Sequence, residues 1–541
     1  MKKQSRISAA LAASSLLMAV GAQVAHAGIV GVTDQDPGAT GAQFELWARS
    51  ATIVLGDGNS LATWGYSTNP TGGMQYPAPT LIVNQNDVVT VTLHNGLLVP
   101  VSAIFPGQAG VTAAACGGSA AGLMALEATA APTLNGAGGC VTYSFTATKA
   151  GTYLYQSGTR PELQVEMGLV GALIVRPTGY DVGTHDAHPA RTAYDTTVGN
   201  LGYQPTHFDR EYLFFLSEMD RSAHEAVDTR QQAIAAGATP AYTGFDDARL
   251  DLVPGAAVDP AAFKATLWFM NGRNAPDTML ERSVFWLPNQ PYNALARAHA
   301  GERVLMRIVG AGRDLHPFHH HGNNAWLIAR DGRVLASAAG APANYPDRNG
   351  IPEFDPATTV PPSKTSVPGQ ATLPDQSVSN YTIQVVPGST YDAIFTWTGK
   401  GLNWDIYGSL PGHSAGVGTC DETTRLPGED PVSHCHEFND AMGVRNFPVT
   451  LPGQQSQTIG GFWSGGQYLG TAEPVPPLQG GLNPGAGYSF MWHSHTEREL
   501  TNDDVFPGGM MTMFILEKEP TAPDPDNICD DGTFNTGACA P

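Results

Sequence analysis

The sequence predicts an all-β protein made of two β-sandwiches with long loop insertions. Three observations lead there. The apolar runs are short and of strand length, and several alternate residue by residue, as in Val89-Thr90-Val91-Thr92-Leu93. The chain holds 62 glycines and 41 prolines but is only 14% charged, which sets turns between those runs. Long amphipathic helical patterns are rare. A chain of 541 residues is also too long for one sandwich.

The elements follow in order. Residues 1–27 read as a cleaved signal peptide. Lys2, Lys3 and Arg6 precede an apolar run at 11–20, and Ala25-His26-Ala27 fits a small-x-small cleavage site. The run is too short to span a bilayer, and no other stretch is long enough, so no membrane insertion is expected. A first domain is expected over 28–178, with strands at 80–95, 151–156 and 171–175. A polar stretch at 179–208 reads as a linker. A second domain follows over 209–518, with strands at 211–216, 302–309, 381–386, 390–397 and 510–516. Its length implies large loops at 335–379 and 408–485. The tail, 519–541, is rich in Pro, Asp and Gly and is expected to be disordered or closed by a disulfide.

Export puts the six cysteines in an oxidising compartment, periplasmic or secreted, where an even count favours disulfides. Nearest neighbours are the simplest pairing: Cys116 with Cys140, Cys420 with Cys435, and Cys529 with Cys539. Six cysteines allow fifteen pairings, so spacing alone does not fix this. The net charge of −21 argues against nucleic acid or an anionic membrane surface as partner.

The chemistry is concentrated in two histidine runs. One is DLHPFHHHG, with His316, His319, His320 and His321; the other is MWHSH, with His493 and His495. On a strand, His-x-His points both rings to one face. Two such strands side by side would gather four imidazoles around one or two copper or zinc ions. The plainer alternative is a set of neutral core histidines satisfied by hydrogen bonds. His320 is expected on the opposite face, behind the ligands or toward solvent. Trp326 and Trp492 flank the two runs and are expected to shield the site. A second cluster, SHCHEFNDAM, offers His434 and His436 beside Cys435 in the long insertion.

These residues resemble the multicopper oxidases and copper nitrite reductases of the cupredoxin superfamily, over most of the mature chain. PAPTLIVNQNDVVTVTLHN resembles the opening of the family's first domain. GTYLYQSGTRPELQVEMGLVGALIV resembles its close. LWFMNGRNAPDTM, GERVLMRIVGAGRDLHPFHHHG and HSH…GGMMTMFIL resemble the last domain. The resemblance implies two cupredoxin-like Greek-key sandwiches and a copper-dependent oxidoreductase. It also implies a homotrimer, with Gln156, Arg160 and Glu162 facing a neighbour's histidines. Of four copper motifs, the third is intact at His316, His319, His321 and Gly322. The first place reads Ile104-Phe105-Pro106-Gly107 and the second Tyr155-Gln156-Ser157-Gly158, both without histidine. The fourth reads His493-Ser494-His495, with Ser494 where the type 1 cysteine stands and Glu499 where a further histidine stands. His316 would hold the type 1 copper.

The implied ligands are therefore His316, His319, His321, His493 and His495, with Glu499, His434, His436 and Met510 as additional candidates. One or two copper ions are expected, not the full four. A small molecule or a metal ion is the implied substrate. The competing reading is a non-catalytic copper-binding or structural cupredoxin protein of the cell envelope.

Overall fold

A computed structural model describes residues 29–36, 40–118, 125–178, 192–194, 206, 208–237, 263–298, 302–335, 377–397, 465–468 and 487–516. The expected signal peptide, the tail, most of both expected insertions, and Cys420, Cys435, Cys529, Cys539, His434 and His436 lie outside the described residues.

The first half contains β1 (Ala42–Val54), β2 (Ser60–Ser67), β3 (Ala78–Asn84), β4 (Val88–Asn95), β5 (Thr112–Ala115), β6 (Cys140–Thr146), β7 (Gly151–Gln156) and β8 (Val170–Arg176). They form a five-stranded sheet, β2-β1-β4-β6-β5, and a three-stranded sheet, β3-β8-β7. In β4 alternate residues Val89, Val91 and Leu93 are buried, as their period of two requires. They join Phe44, Leu46, Tyr143 and Phe145 in the core between the sheets. Cys116 and Cys140 form a disulfide between the end of β5 and the start of β6.

The second half contains β9 (Arg210–Met219), β10 (Leu267–Met270), β11 (Ala296–Ala298), β12 (Arg303–Gly310), β13 (His316–His320), β14 (Ala325–Arg330), β15 (Arg333–Val334), β16 (Val378–Asn380), β17 (Thr382–Val385), β18 (Thr390–Thr396), β19 (Gly465–Tyr468), β20 (Gly487–Ser494) and β21 (Met511–Leu516). One sheet runs β10-β9-β12-β18-β14-β15, with β16 on β14. The other runs β11-β21-β20-β13-β17, with β19 on β20. Phe318, Phe395, Phe490, Trp492 and Phe514 fill the space between them.

One helix of fifteen residues, Arg221–Ala235, was not legible as an amphipathic pattern. Asp220 caps it, its carboxylate accepting from the Ser222 N–H at 2.9 Å. Its inner face carries His224, Arg230 and Gln231 beside Ala223 and Val227. Polar side chains on the buried face hide the helical period. His224 lies between the carbonyls of Ala62 and Glu166, at 2.5 and 3.0 Å, and pins the helix to the first half.

The halves share more than a boundary. Met74, Tyr76, Leu154 and Val170 from the first pack with Leu213, Phe215, Phe269 and Val309 from the second. Beside this apolar seam runs a buried ionic network. Arg307 on β12 donates through Nε to Glu211 on β9 (2.8 Å) and through Nη1 to Thr152 on β7 (3.0 Å). Arg176 on β8 pairs with the other Glu211 oxygen. Thr152 donates to Asp392 on β18 at 2.5 Å, and Tyr194 donates to the same carboxylate. Burial pushes the Glu211 carboxyl up, but Arg176 and Arg307 outweigh it and hold it at about 2. Within 179–208, the described residues Thr192, Ala193, Tyr194, Thr206 and Phe208 are buried, so this stretch packs against the second half where it is described.

Candidate metal centre

β13 and β20 are antiparallel neighbours, with His319 opposite His493 and His320 opposite Trp492. Backbone bonding continues past the strands, from the His321 N–H to Met491 (3.2 Å) and from the His495 N–H to Pro317 (2.8 Å). Alternation then sends His319, His321, His493 and His495 to one side. Ring centroids lie 4.8 Å apart for 319–321 and 319–495, 5.3 Å for 319–493 and 321–493, and 5.7 Å for 493–495.

One ring nitrogen each from His319, His321 and His493 falls within a span of 4.8 Å. The Nε2 atoms of His321 and His493 are 3.3 Å apart. A tetrahedral ion with nitrogen ligands at about 2.0–2.1 Å keeps them roughly 3.3–3.4 Å apart. That pair already has the spacing an ion would impose.

The surroundings fix tautomers and aim. His493 Nδ1–H donates to the Ser494 carbonyl at 2.7 Å, which leaves Nε2 as a lone pair facing His321. His319 Nδ1 bonds the Thr382 hydroxyl at 2.8 Å. The Trp492 indole N–H donates to the His321 carbonyl at 3.1 Å. Gly322, at φ 106°, makes the turn after His321. A Cβ there would press on Trp397 and Phe490 at 3.1–3.2 Å. Burial and the neighbouring imidazoles push His319 down to about 4, and burial does the same to His493. Both rings are neutral at pH 7, the state a metal requires. His319 and His493 are 8% and 7% exposed, whereas His495 is exposed. Tyr381, 53% exposed, sets its ring edge-on to His319 at 5.5 Å.

Other predicted residues are placed differently. His320 does face the opposite way, but into the core and not to solvent. Its Nε2 accepts the Ala325 N–H at 3.0 Å, and its ring lies against Phe395 and Trp492. Trp326 is on β14 in the other sheet, half-buried against the Leu305–Ile394 cluster; Trp492 is stacked on Phe514 in the core, on the face opposite the four clustered rings, and reaches the site through its N–H to the His321 carbonyl. Met510 is buried in the core among apolar neighbours.

His316 is drawn into a separate network. Its Nδ1 bonds Glu499 Oε2 and its Nε2 bonds Glu218 Oε2, each at 2.9 Å. Ser494 Oγ donates to the same Glu499 oxygen at 2.6 Å. Neither ring nitrogen is left for an ion. Sequence reasoning missed Glu218, and the available signal was a carboxylate inside the apolar run of β9. Burial lowers the His316 pKa, but hydrogen bonds to Glu218 and Glu499 outweigh it and raise it to about 9. Folding therefore raises its proton affinity above the ordinary 6.5. The stabilisation is complete below about 6.5 and is lost as pH climbs through about 9. Thermal melts from pH 6 to pH 10 should show a falling midpoint that is flattened in His316→Gln.

In the first half, Ile104 and Gln156 exchange backbone hydrogen bonds at 2.8 and 3.1 Å. The two places that lack histidine are thus adjacent in space. Phe105 fills the core beside them, against Tyr143, Phe145 and Tyr155.

Residues 65–179 match the family model described as multicopper oxidase. No curated protein matches the chain significantly. Among solved structures, the blue copper oxidase from Nitrosomonas europaea is 16% identical, with 91% of this chain and 91% of that chain covered and a TM-score of 0.43. Copper nitrite reductase from the same organism is 14% identical, with coverage of 66% and 84% and a TM-score of 0.36. The laccase from Botrytis aclada is 18% identical, with coverage of 66% and 47% and a TM-score of 0.34. At these similarities no activity transfers.

Proposed function

From the match of residues 65–179 to the multicopper oxidase family model, we propose an exported copper-dependent oxidoreductase. In this reading His319, His321, His493 and His495 hold one or two copper ions. The observation that carries it is the His321–His493 nitrogen pair, whose 3.3 Å separation matches that of two ligands on one ion, with His319 and His495 around it. Copper bound there would supply a one-electron couple and an open coordination position. The chain's own groups do the rest. Ser494 and Thr382 hold the rings of His493 and His319, and Trp492 with Phe514 closes the rear against water. The exposed edge at His495 and Tyr381 admits a small reductant or a metal ion. With no thiolate, long-range electron entry from bulky phenols would be slow. A homotrimer would set a neighbour's Gln156 edge over this open face.

A second reading, a non-catalytic copper-binding protein of the envelope, is favoured by one observation: Ser494 replaces the sulfur through which electrons would enter. Copper loading followed by elemental analysis, absorption and oxygen uptake tests both. The oxidoreductase is expected to retain one or two ions, show no intense blue band, and consume oxygen with a small reductant. Retention without turnover supports the second reading. No retained copper sinks both.

A further inference from the structure

The cluster around His316 stands where the family resemblance would place a type 1 copper. Its donors do not fit that ion. Ser494 offers a hydroxyl in place of a thiolate, and the two carboxylates approach His316 from opposite edges of the ring. They do not converge on one point. A carboxylate only accepts, so both ring nitrogens must donate, and the ring is an imidazolium.

Every end of this chain is satisfied. The Arg313 N–H and, at 3.1 Å, the Asp314 N–H donate to Glu218 Oε1. The Thr496 N–H donates to Ser494 Oγ at 3.2 Å. Gly312, at φ 86°, lets the backbone close on Glu218, because a Cβ there would collide with that carboxylate. His316, Glu218, Glu499 and Ser494 are all buried.

We propose that a metal-free ion bridge, Glu218–His316–Glu499–Ser494, replaces the type 1 copper and serves as a positioning brace for the four-histidine centre. His316 begins β13, three residues before His319. Ser494 lies between His493 and His495, and Glu218 belongs to β9 of the other sheet. The bridge therefore ties both histidine strands to the opposite layer, as a shared ion would. Copper goes only to the other four rings, and no electron enters at His316. The brace's effect on copper rests on the function proposed above; the bridge itself does not.

The test is imidazole nitrogen NMR on the histidine-labelled full chain, metal-free and loaded anaerobically with Cu(I), together with copper affinity. His316 is expected to be doubly protonated at pH 7 in both states, while the other four rings shift on loading. Glu218→Gln and Glu499→Gln should keep the wild-type copper stoichiometry, weaken affinity about tenfold, in the range for residues that orient ligands, and alter the Cu(II) EPR signature. Ser494→Ala, which removes one neutral donor, gives a milder variant should either glutamine variant fail to fold. Loss of a His316 proton on loading, or one fewer ion bound in His316→Gln, overturns the proposal. So do unchanged affinity and EPR in all variants. A wild-type chain that takes no copper but keeps His316 doubly protonated overturns the copper reading and supports the bridge.

Discussion

His321→Ala and His493→Ala are each expected to weaken copper binding by more than about 100-fold, and oxygen uptake should fall with it. The scale follows from residues that merely orient a ligand, whose loss costs about 10–100-fold; removing the ligand itself must cost more. These two rings supply the closest nitrogen pair of the centre, at 3.3 Å. In the metal-free protein one proton bridges that pair, since His493 has already committed Nδ1–H to the Ser494 carbonyl. An ion takes the proton's place with little motion of either ring. Alanine at either position breaks that pair and leaves its remaining ring only the wider-spaced His319 and the exposed His495 as co-ligands. Isothermal titration with copper under a competing chelator reads the change. Affinity within threefold of wild type in both variants would show that the ion sits elsewhere.

Arg307→Met should destabilise the fold by about 3–5 kcal/mol, the usual cost of deleting one partner from a buried charge network. Arg307 is fully buried and serves Glu211 and Thr152, with Asp392 at 3.6 Å. Methionine fills much of the volume but leaves a Glu211 oxygen and the Thr152–Asp392 pair without their cation. Arg307→Lys should recover only part, because an ammonium cannot span both carboxylates in the plane of a fork. A urea midpoint shift measures this. A change below about 1 kcal/mol would mean that the network is not closed in solution.

The parts of the fold that the sequence revealed are those where a local period matches an environment. β7 spans Gly151–Gln156 as the apolar run at 151–156 suggested, and β18, Thr390–Thr396, follows the run at 390–397. The histidine pairs were legible for the same reason: two-residue spacing fixes a shared face wherever a strand forms. What the sequence hid depends on distant partners. Glu218 reaches His316 across 98 positions, and nothing local distinguishes it from a solvated carboxylate. The helix at Arg221–Ala235 was invisible because His224, Arg230 and Gln231 face inward, where polar groups in the first half receive them. His320 was half legible: alternation gave its direction but not that Phe395 and Trp492 occupy the space it enters.

The apolar seam between the halves has a consequence for how this architecture can be divided. Met74, Tyr76 and Leu154 are buried in one cluster with Leu213, Phe215 and Phe269. A gene truncated between the two sandwiches would encode a fragment with an oily flank, prone to stick to its own kind. The first sandwich supplies none of the four clustered rings, yet it keeps the second one's flank dry. A half that adds no ring to the cluster can thus remain indispensable as a lid on its neighbour.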